Sequence, residues 1–173
     1  NIKLHMQEFP SCLSNAELLQ SLIDNLTKRK HECCRVLIFC QSVSDCGKLY
    51  VTFMTNLPQH LMCHVEMYHS ETLVHVKDSI TRDMSIVNGT IKILICTSAA
   101  GMGVIFVGVD HVVHYGPPKN VDDLLQQLGR AGRDGKQAHH LLLYCPRQCR
   151  DLSDEVKEYL KCTTCYRKQL MSY

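Results

Sequence analysis

Residues 35–40, Arg35-Val36-Leu37-Ile38-Phe39-Cys40, form a short run that is apolar after its first residue, and this run decides the fold class. Such a run is typical of a strand that is buried on both faces, as strands of parallel sheets are. Five similar runs flank it, with helix-like stretches between most of them. The predicted strands are Ile2 to Gln7, Arg35 to Cys40, Cys63 to Tyr68, Ile91 to Cys96, His111 to Tyr115 and His139 to Tyr144. The order predicts an α/β fold, a mainly parallel sheet with helices on both faces.

Amphipathic stretches between the strands predict five helices. The first begins after Ser14, whose hydroxyl forms a capping box with Glu17 three residues later. The other four have apolar residues at helical spacing or follow directly after a strand. They are predicted at about residues 44–54, 72–84, 121–128 and 151–160.

Composition excludes several classes of protein. The chain has 173 residues, and its 19 basic and 17 acidic side chains leave a net charge of +2. This charge is too small to indicate nucleic-acid binding by itself. No apolar run approaches the roughly 18 residues of a membrane-spanning helix, so we expect no membrane partner. The 11 cysteines are an odd number and several lie in strand-like runs, which favours a reducing compartment without a disulfide framework.

The segment Gln126-Gln127-Leu128-Gly129-Arg130-Ala131-Gly132-Arg133-Asp134-Gly135 carries the chemistry. Two arginines three residues apart, spaced by small residues at a helix end, can direct both guanidinium groups at one anion. The glycines let a backbone approach that anion closely, which suits phosphate. For the arginine pair alone, the competing interpretation is a surface pair that is favoured by the helix dipole.

The whole string resembles motif VI of superfamily 2 helicases, and its Asp134-Gly135 ending resembles the RecQ family of ATP-dependent DNA helicases. Other family motifs occur in the same order along almost the whole chain. VLIFCQS at 36–42 resembles motif IV, YHS at 68–70 the element after it, ILICTSAAGMGV at 93–104 motif V, and HYGPPK at 114–119 the connection to motif VI. The resemblance implies a RecA-like helicase C-terminal lobe.

That resemblance assigns roles to individual residues. Arg133 is expected to be the arginine finger on the γ-phosphate of ATP, Arg130 and Gly129 to bind the nucleotide beside it, and Gln126 to couple nucleotide and DNA. Thr97, Ser98, Met102 and Gly103 are expected along the backbone of a single DNA strand, with Ser42 and His69 as weaker candidates. Local sequence offers plainer interpretations as well, since Thr97 and Ser98 could cap a helix, Met102 could fill the core and His69 could form a turn.

Other residues required for ATP hydrolysis are missing from the chain. The sequence contains no Walker A phosphate loop and no DExH box, so we expect ATP and Mg²⁺ to bind only together with a first RecA-like lobe in cis. Within motif V, Ile105 stands where the family has an aspartate that helps to hold the nucleotide ribose, which leaves turnover open. The remaining partner is expected to be single-stranded or forked DNA, and the family implies a nuclear location.

The C-terminal segment is expected to begin a second unit. The resemblance divides the chain into a lobe at 1–150 and, at 151–173, the truncated start of a RecQ zinc-binding subdomain. Cys165, in Cys165-Tyr166-Arg167-Lys168, would be its first zinc ligand, so we expect an incomplete site and Zn²⁺ only in a longer chain. The alternative is a four-thiolate zinc site of Cys145, Cys149, Cys162 and Cys165. A helix over residues 150–161 would argue against this site, because it would separate the first two cysteines from the last two by about 18 Å.

Two other functions stay open. A non-catalytic nucleic-acid-binding module derived from a helicase lobe would bind DNA or RNA without regard to ATP. An RNA helicase lobe of the same superfamily is disfavoured by the Arg133-Asp134-Gly135 ending and by Cys165-Tyr166-Arg167-Lys168.

Overall fold

A computed structural model describes residues 1–101 and 105–173 of the chain. Its centre is one six-stranded sheet in the order β1-β6-β5-β2-β4-β3, in which every neighbouring pair is parallel. The strands are β1 (Ile2–Glu8), β2 (Arg35–Cys40), β3 (Val65–Tyr68), β4 (Ile93–Cys96), β5 (Val109–Tyr115) and β6 (Ala138–Tyr144). The prediction of an α/β fold with a mainly parallel sheet is confirmed.

Six α-helices cover the two faces of this sheet. They are α1 (Asn15–Arg29), α2 (Val43–Asn56), α3 (Val74–Met84), α4 (Val121–Leu128), α5 (Asp154–Leu160) and α6 (Tyr166–Leu170). α1 begins with the predicted capping box, because the Glu17 backbone N–H donates to Ser14 Oγ and the Ser14 N–H donates to Glu17 Oε2. None of the helices within the described residues is long and apolar enough to cross a membrane.

The core lies in two layers, one on each face of the sheet. α1 and α2 pack on one face, where Leu26 and Phe53 are fully buried against alternate residues of β2 and β4. α3 packs on the opposite face beside α4, α5 and α6. Because β2 is central and covered on both sides, all six of its residues are buried, which explains its continuous apolar run.

One buried cation breaks that apolar pattern at the first residue of β2. The Arg35 guanidinium donates from Nη1 to the Val107 carbonyl at 2.7 Å and from Nε to the Ile91 carbonyl at 3.2 Å. It also lies 3.7 Å from Asp83 Oδ1 at the end of α3. Burial lowers the pKa of Arg35 and the Asp83 carboxylate opposes that shift. Arg35 thus joins the end of α3 to the two loops that precede β4 and β5 at the amino edge of the sheet.

Residues 151–173 join the same core as the sheet. Val156 and Tyr159 of α5 and Leu170 of α6 are buried in one cluster with Leu142 of β6 and Leu124 of α4. The two last helices therefore form part of the layer that covers β6.

Some predicted boundaries are wrong by two or three residues. The third strand begins at Val65 rather than Cys63, because residues 59–64 form a 3₁₀ helix. The third helix begins at Val74 rather than at 72, and the fifth at Asp154 rather than at 151, where Ser153 provides its N-cap. All eleven cysteines are free.

Candidate functional site

Most of the residues expected to lie along a nucleic-acid strand lie at the carboxyl edge of the sheet. Ser42 follows β2, Thr97 and Ser98 follow β4, and His69 follows β3, and these three strands are neighbours in the sheet. In open parallel sheets this edge is where ligands bind. The fold therefore brings the predicted residues Ser42, His69, Thr97 and Ser98 to one edge of the sheet.

Local hydrogen bonds occupy two of these side chains. Ser42 caps α2: its Oγ accepts from the Asp45 N–H at 3.1 Å and donates to Asp45 Oδ2 at 2.7 Å. His69 is buried in a turn, where its Nδ1 accepts from the Glu71 N–H and its own N–H donates to Thr72 Oγ1. The plainer interpretation of His69 as a turn residue fits these contacts.

Ser98 is the exposed member of the group. It begins a short 3₁₀ helix after β4 and lines a cavity of about 220 Å³ together with Gln41 and Lys119. Thr97 is half-buried, and its N–H donates to the Tyr68 carbonyl at the end of β3. Met102 and Gly103, the other two residues predicted for the strand, lie outside the described residues.

The arginine segment follows α4, as predicted. Asn120 caps the start of α4, and Gly129 forms its C-cap by donating its N–H to the Leu125 carbonyl at 3.0 Å. Gln126 is exposed, whereas its neighbour Gln127 is buried. The helix therefore exposes Gln126 at the surface and buries Gln127.

The two arginines have different environments. Arg130 is buried, with 7% of its surface exposed, whereas Arg133 is exposed and donates from Nε to the Gly129 carbonyl at 2.9 Å. Burial lowers the pKa of Arg130, and repulsion from Arg133 lowers it further. The pair thus forms a concentrated positive charge at the end of α4.

The turn that carries the arginines requires glycine at its centre. Gly132 has a φ of +64°, and an added Cβ would lie 2.8 Å from Nδ2 of Asn1. Its N–H donates to the Val109 carbonyl of β5, while its own carbonyl accepts from Asn1 Nδ2. The Arg130 to Arg133 segment is therefore held by both β5 and the start of the chain.

Behind α4 lies a buried polar chain that the local sequence patterns do not predict. His114 Nδ1 is 2.7 Å from His140 Nε2, and His114 Nε2 is 2.7 Å from Gln127 Oε1. Burial lowers the pKa of His114 to about 4 and also lowers that of His140. A possible signal was the occurrence of two histidines and a glutamine inside otherwise apolar patterns.

In the part of the chain that the structure describes, the four cysteines of the predicted C-terminal sites do not form a metal-binding cluster. Cys149 Sγ bonds the Cys145 carbonyl, Cys162 Sγ lies 3.7 Å from Thr164 Oγ1, and Cys165 is exposed before α6. Throughout 1–101 and 105–173 no three His, Cys, Asp or Glu residues are placed to hold a metal ion. The helix between the two cysteine pairs has seven residues instead of the predicted twelve, so the separation of about 18 Å expected from its length does not apply.

Known proteins with similar sequences are helicases. A protein of Caenorhabditis briggsae named "Putative ATP-dependent DNA helicase Q1" is 30% identical over 131 residues, which cover 76% of this chain and 20% of that protein. The ATP-dependent RNA helicase vasa of Drosophila melanogaster is 29% identical over 93 residues, 54% of this chain and 14% of that protein. The chain thus spans a fifth or less of the length of these relatives.

Solved structures show the same fold. The DUF1998 helicase MrfA bound to DNA superimposes with a TM-score of 0.72 over 99% of this chain and 23% of that one, at 17% identity. Residues 15–135 match the family described as the helicase conserved C-terminal domain. With its parallel sheet and its arginine segment after α4, the chain belongs to the helicase conserved C-terminal domain family.

Proposed function

We propose that this chain is the second motor lobe of a RecQ-like, 3′-to-5′ ATP-dependent DNA helicase. In this role Arg133 is the arginine finger, and Ser98 and its neighbours form part of the track for a single DNA strand. The observation that carries this proposal is the presence of two arginines three residues apart after α4, Arg130 buried and Arg133 exposed with its Nε bonded to the Gly129 carbonyl. Two guanidinium groups that repel each other gain most from an anion that neutralises both.

A nucleoside triphosphate fits this arginine pair. ATP with Mg²⁺ supplies the phosphoryl group whose hydrolysis drives the motor, and an arginine finger stabilises the charge that develops on that group. The guanidinium groups of Arg130 and Arg133 suit phosphate oxygens. The nearby Asp134 lies 3.5 Å from Lys136 in an ion pair, so Mg²⁺ would be held by the first lobe. Gln126, exposed on the same helix, would contact the nucleotide.

DNA is the proposed strand because of the RecQ-like ending at Asp134-Gly135 and the Cys165-Tyr166-Arg167-Lys168 segment. The name of the Caenorhabditis relative and the DNA-bound MrfA structure support DNA, whereas the vasa relative supports RNA. Competition between DNA and RNA oligonucleotides of one length separates these alternatives. Preference for RNA would overturn the RecQ assignment.

The C-terminal segment has a proposed role of its own. Residues 151–173 would be the start of a zinc-binding subdomain, in which the exposed Cys165 thiol is one of four ligands. A single thiolate does not make a zinc site, so the other ligands would come from a longer chain.

The test uses a chain that contains both lobes. Arg133→Ala should reduce DNA-stimulated ATP turnover by about 10³-fold or more, as the loss of an arginine finger does, with DNA affinity retained. Arg82→Ala, which removes an exposed arginine from the last turn of α3, is the matched control and should leave turnover unchanged. Unchanged turnover in Arg133→Ala would refute the assignment.

A second candidate is a non-catalytic nucleic-acid-binding module, and Ile105 favours it. This side chain is 65% exposed at the position of the family aspartate, and it offers no hydrogen bond to a ribose. Such a module predicts nucleic-acid affinity that ATP does not change. The helicase predicts that a nonhydrolysable ATP analogue alters the affinity.

A further inference from the structure

Two adjoining cavities form a trough along the carboxyl edge of the sheet. The first, of about 220 Å³, contains Ser98 of the proposed DNA track. The second, also about 220 Å³, lies beyond the ends of β5 and β6. Gln41 and Lys119 line both cavities, so the second continues directly from the first.

Hydrogen bonds between three loops fix the wall of this trough. Gln41 Nε2 donates to the Pro117 carbonyl at 2.6 Å and to the Gln148 carbonyl at 3.0 Å. Gln148 Oε1 accepts in turn from the Cys145 N–H. The loops after β2, β5 and β6 are thereby joined, so the trough is part of the folded lobe rather than a gap between independent loops.

The second cavity is cationic. Lys119, Arg147 and Arg150 line it and are all exposed, and Asp151 is the one carboxylate in its lining. Across the residues that the structure describes, none of the three cations forms an ion pair within 4.0 Å. Arg147 does donate to the Ser11 carbonyl, which restrains its side chain. Three exposed cations that form no ion pair among the described residues and face one carboxylate are suited to phosphate oxygens.

We propose that Lys119, Arg147 and Arg150 form a phosphate-binding extension of the track, which holds the backbone of a single nucleic-acid strand beyond Ser98. The proposal rests on the nucleic-acid binding proposed above and adds three contact residues after β5 and β6. A polyanion that follows the edge of the sheet would meet Ser98 first and the cationic cavity next. Recognition through phosphates would be independent of base sequence.

The test is the salt dependence of binding to an oligothymidylate, with the full chain including its first lobe. Arg147→Ala with Arg150→Ala removes two cations, which should lower the slope of log K against log salt by about 1.4 and weaken binding about 25-fold at 0.1 M salt. Lys28→Ala with Arg29→Ala removes two exposed cations from the end of α1, at the opposite edge of the sheet, and should change neither quantity.

A variant that is expected to strengthen binding distinguishes a specific effect from a general loss of structure. Asp151→Asn removes the carboxylate of the cavity and should tighten binding by up to about fivefold, the factor expected for one charge at 0.1 M salt. Binding is also measured with a short and a longer oligothymidylate, and inorganic phosphate should compete weakly and equally for both oligonucleotides if the cavity binds only free anions. In that case the affinity gained from a longer oligothymidylate would persist in the Arg147→Ala/Arg150→Ala variant, which would overturn the extension.

Different results would contradict the proposed DNA function and the proposed cationic extension. If the unaltered chain does not bind oligothymidylate at all, the proposed DNA function fails. If it binds and the double variant shows the same slope and affinity, the DNA function stands and the cationic extension is wrong.

Discussion

His114 Nε2 donates a 2.7 Å hydrogen bond to Gln127 Oε1, which links β5 to the helix that carries the arginine segment. Since the amide oxygen can only accept, His114 holds its proton on Nε2 and accepts at Nδ1 from His140 Nε2. Gln127 therefore positions α4, while Gln126 beside it remains available at the surface.

Substitution of either glutamine by leucine should have unequal effects on the free energy of unfolding. Gln127→Leu leaves a buried His114 N–H without its acceptor and should lower the free energy of unfolding by about 1–3 kcal/mol. Gln126→Leu on the exposed side of the same helix is the control, expected within about 0.5 kcal/mol of the unaltered chain. Urea unfolding followed by circular dichroism measures both. Equal losses would show that the buried bond does not stabilise α4.

The buried histidine pair makes folding stability depend on pH. Burial lowers the pKa of His114 from 6.5 to about 4, so between these values the unfolded chain binds a proton that the folded chain does not. Stability is therefore complete above pH 6.5 and falls as the pH drops towards 4. Each such histidine contributes a slope of up to about 1.4 kcal/mol per pH unit.

Removal of one histidine tests this slope. His140→Leu should reduce the loss of unfolding free energy between pH 6.5 and 5, because one of the two buried groups can no longer be protonated on unfolding. His31→Leu, at an exposed histidine, should leave the slope unchanged. Identical slopes for the unaltered chain and His140→Leu would contradict the assignment of the pH dependence to this pair.

Arg35 should be intolerant of even a conservative change. The planar guanidinium of Arg35 bonds the carbonyls of Val107, Ile91 and Met84 at once. Arg35→Lys keeps the charge, but a single ammonium cannot make all three bonds and would be buried with fewer partners. We expect a loss of about 3 kcal/mol or more in unfolding free energy. Arg82→Lys on the exposed end of α3 should cost less than about 0.5 kcal/mol. A small loss in Arg35→Lys would mean that other contacts hold the end of α3 and the loops before β4 and β5.

Two glycine substitutions should have opposite signs. Gly116 has a φ of +87°, and an added Cβ would lie 2.8 Å from Gln41 Cδ, so Gly116→Ala should destabilise the wall of the trough by about 1–3 kcal/mol. Gly47 lies inside α2 with nothing within 4 Å of an added Cβ, so Gly47→Ala should stabilise by about 0.5–1 kcal/mol. Thermal unfolding of the two variants decides, and a shift of the same sign in both would refute the prediction.

The strands and most helices could be predicted because their signals are local. The apolar run of β2 and the Ser14–Glu17 capping box each lie within a few residues, and both occur as expected. The apolar spacing predicts a start of α5 that is too early, because this spacing extends past the N-cap at Ser153. The spacing of side chains gives the period of a helix but not the residue at which it begins.

The long-range polar contacts could not be predicted. Arg35 reaches loops 49 to 72 residues away, and His114 meets His140 only because β5 and β6 are paired in one particular register. The same holds for the cationic cavity, which combines Lys119 from one loop with Arg147 and Arg150 from another. Each set is scattered in the sequence and becomes visible only when the order of strands is known.

The pairing of β1 with β6 has a consequence for synthesis on the ribosome. Ile2 is aligned with Ala138 and Glu8 with Tyr144, so β1 is made well before β6, its neighbour in the sheet of the described residues. Until that neighbour emerges, β1 has a row of unpaired backbone groups, and the loop that must close is long. At about 5–20 residues per second, β1 stays without this neighbour for on the order of ten seconds.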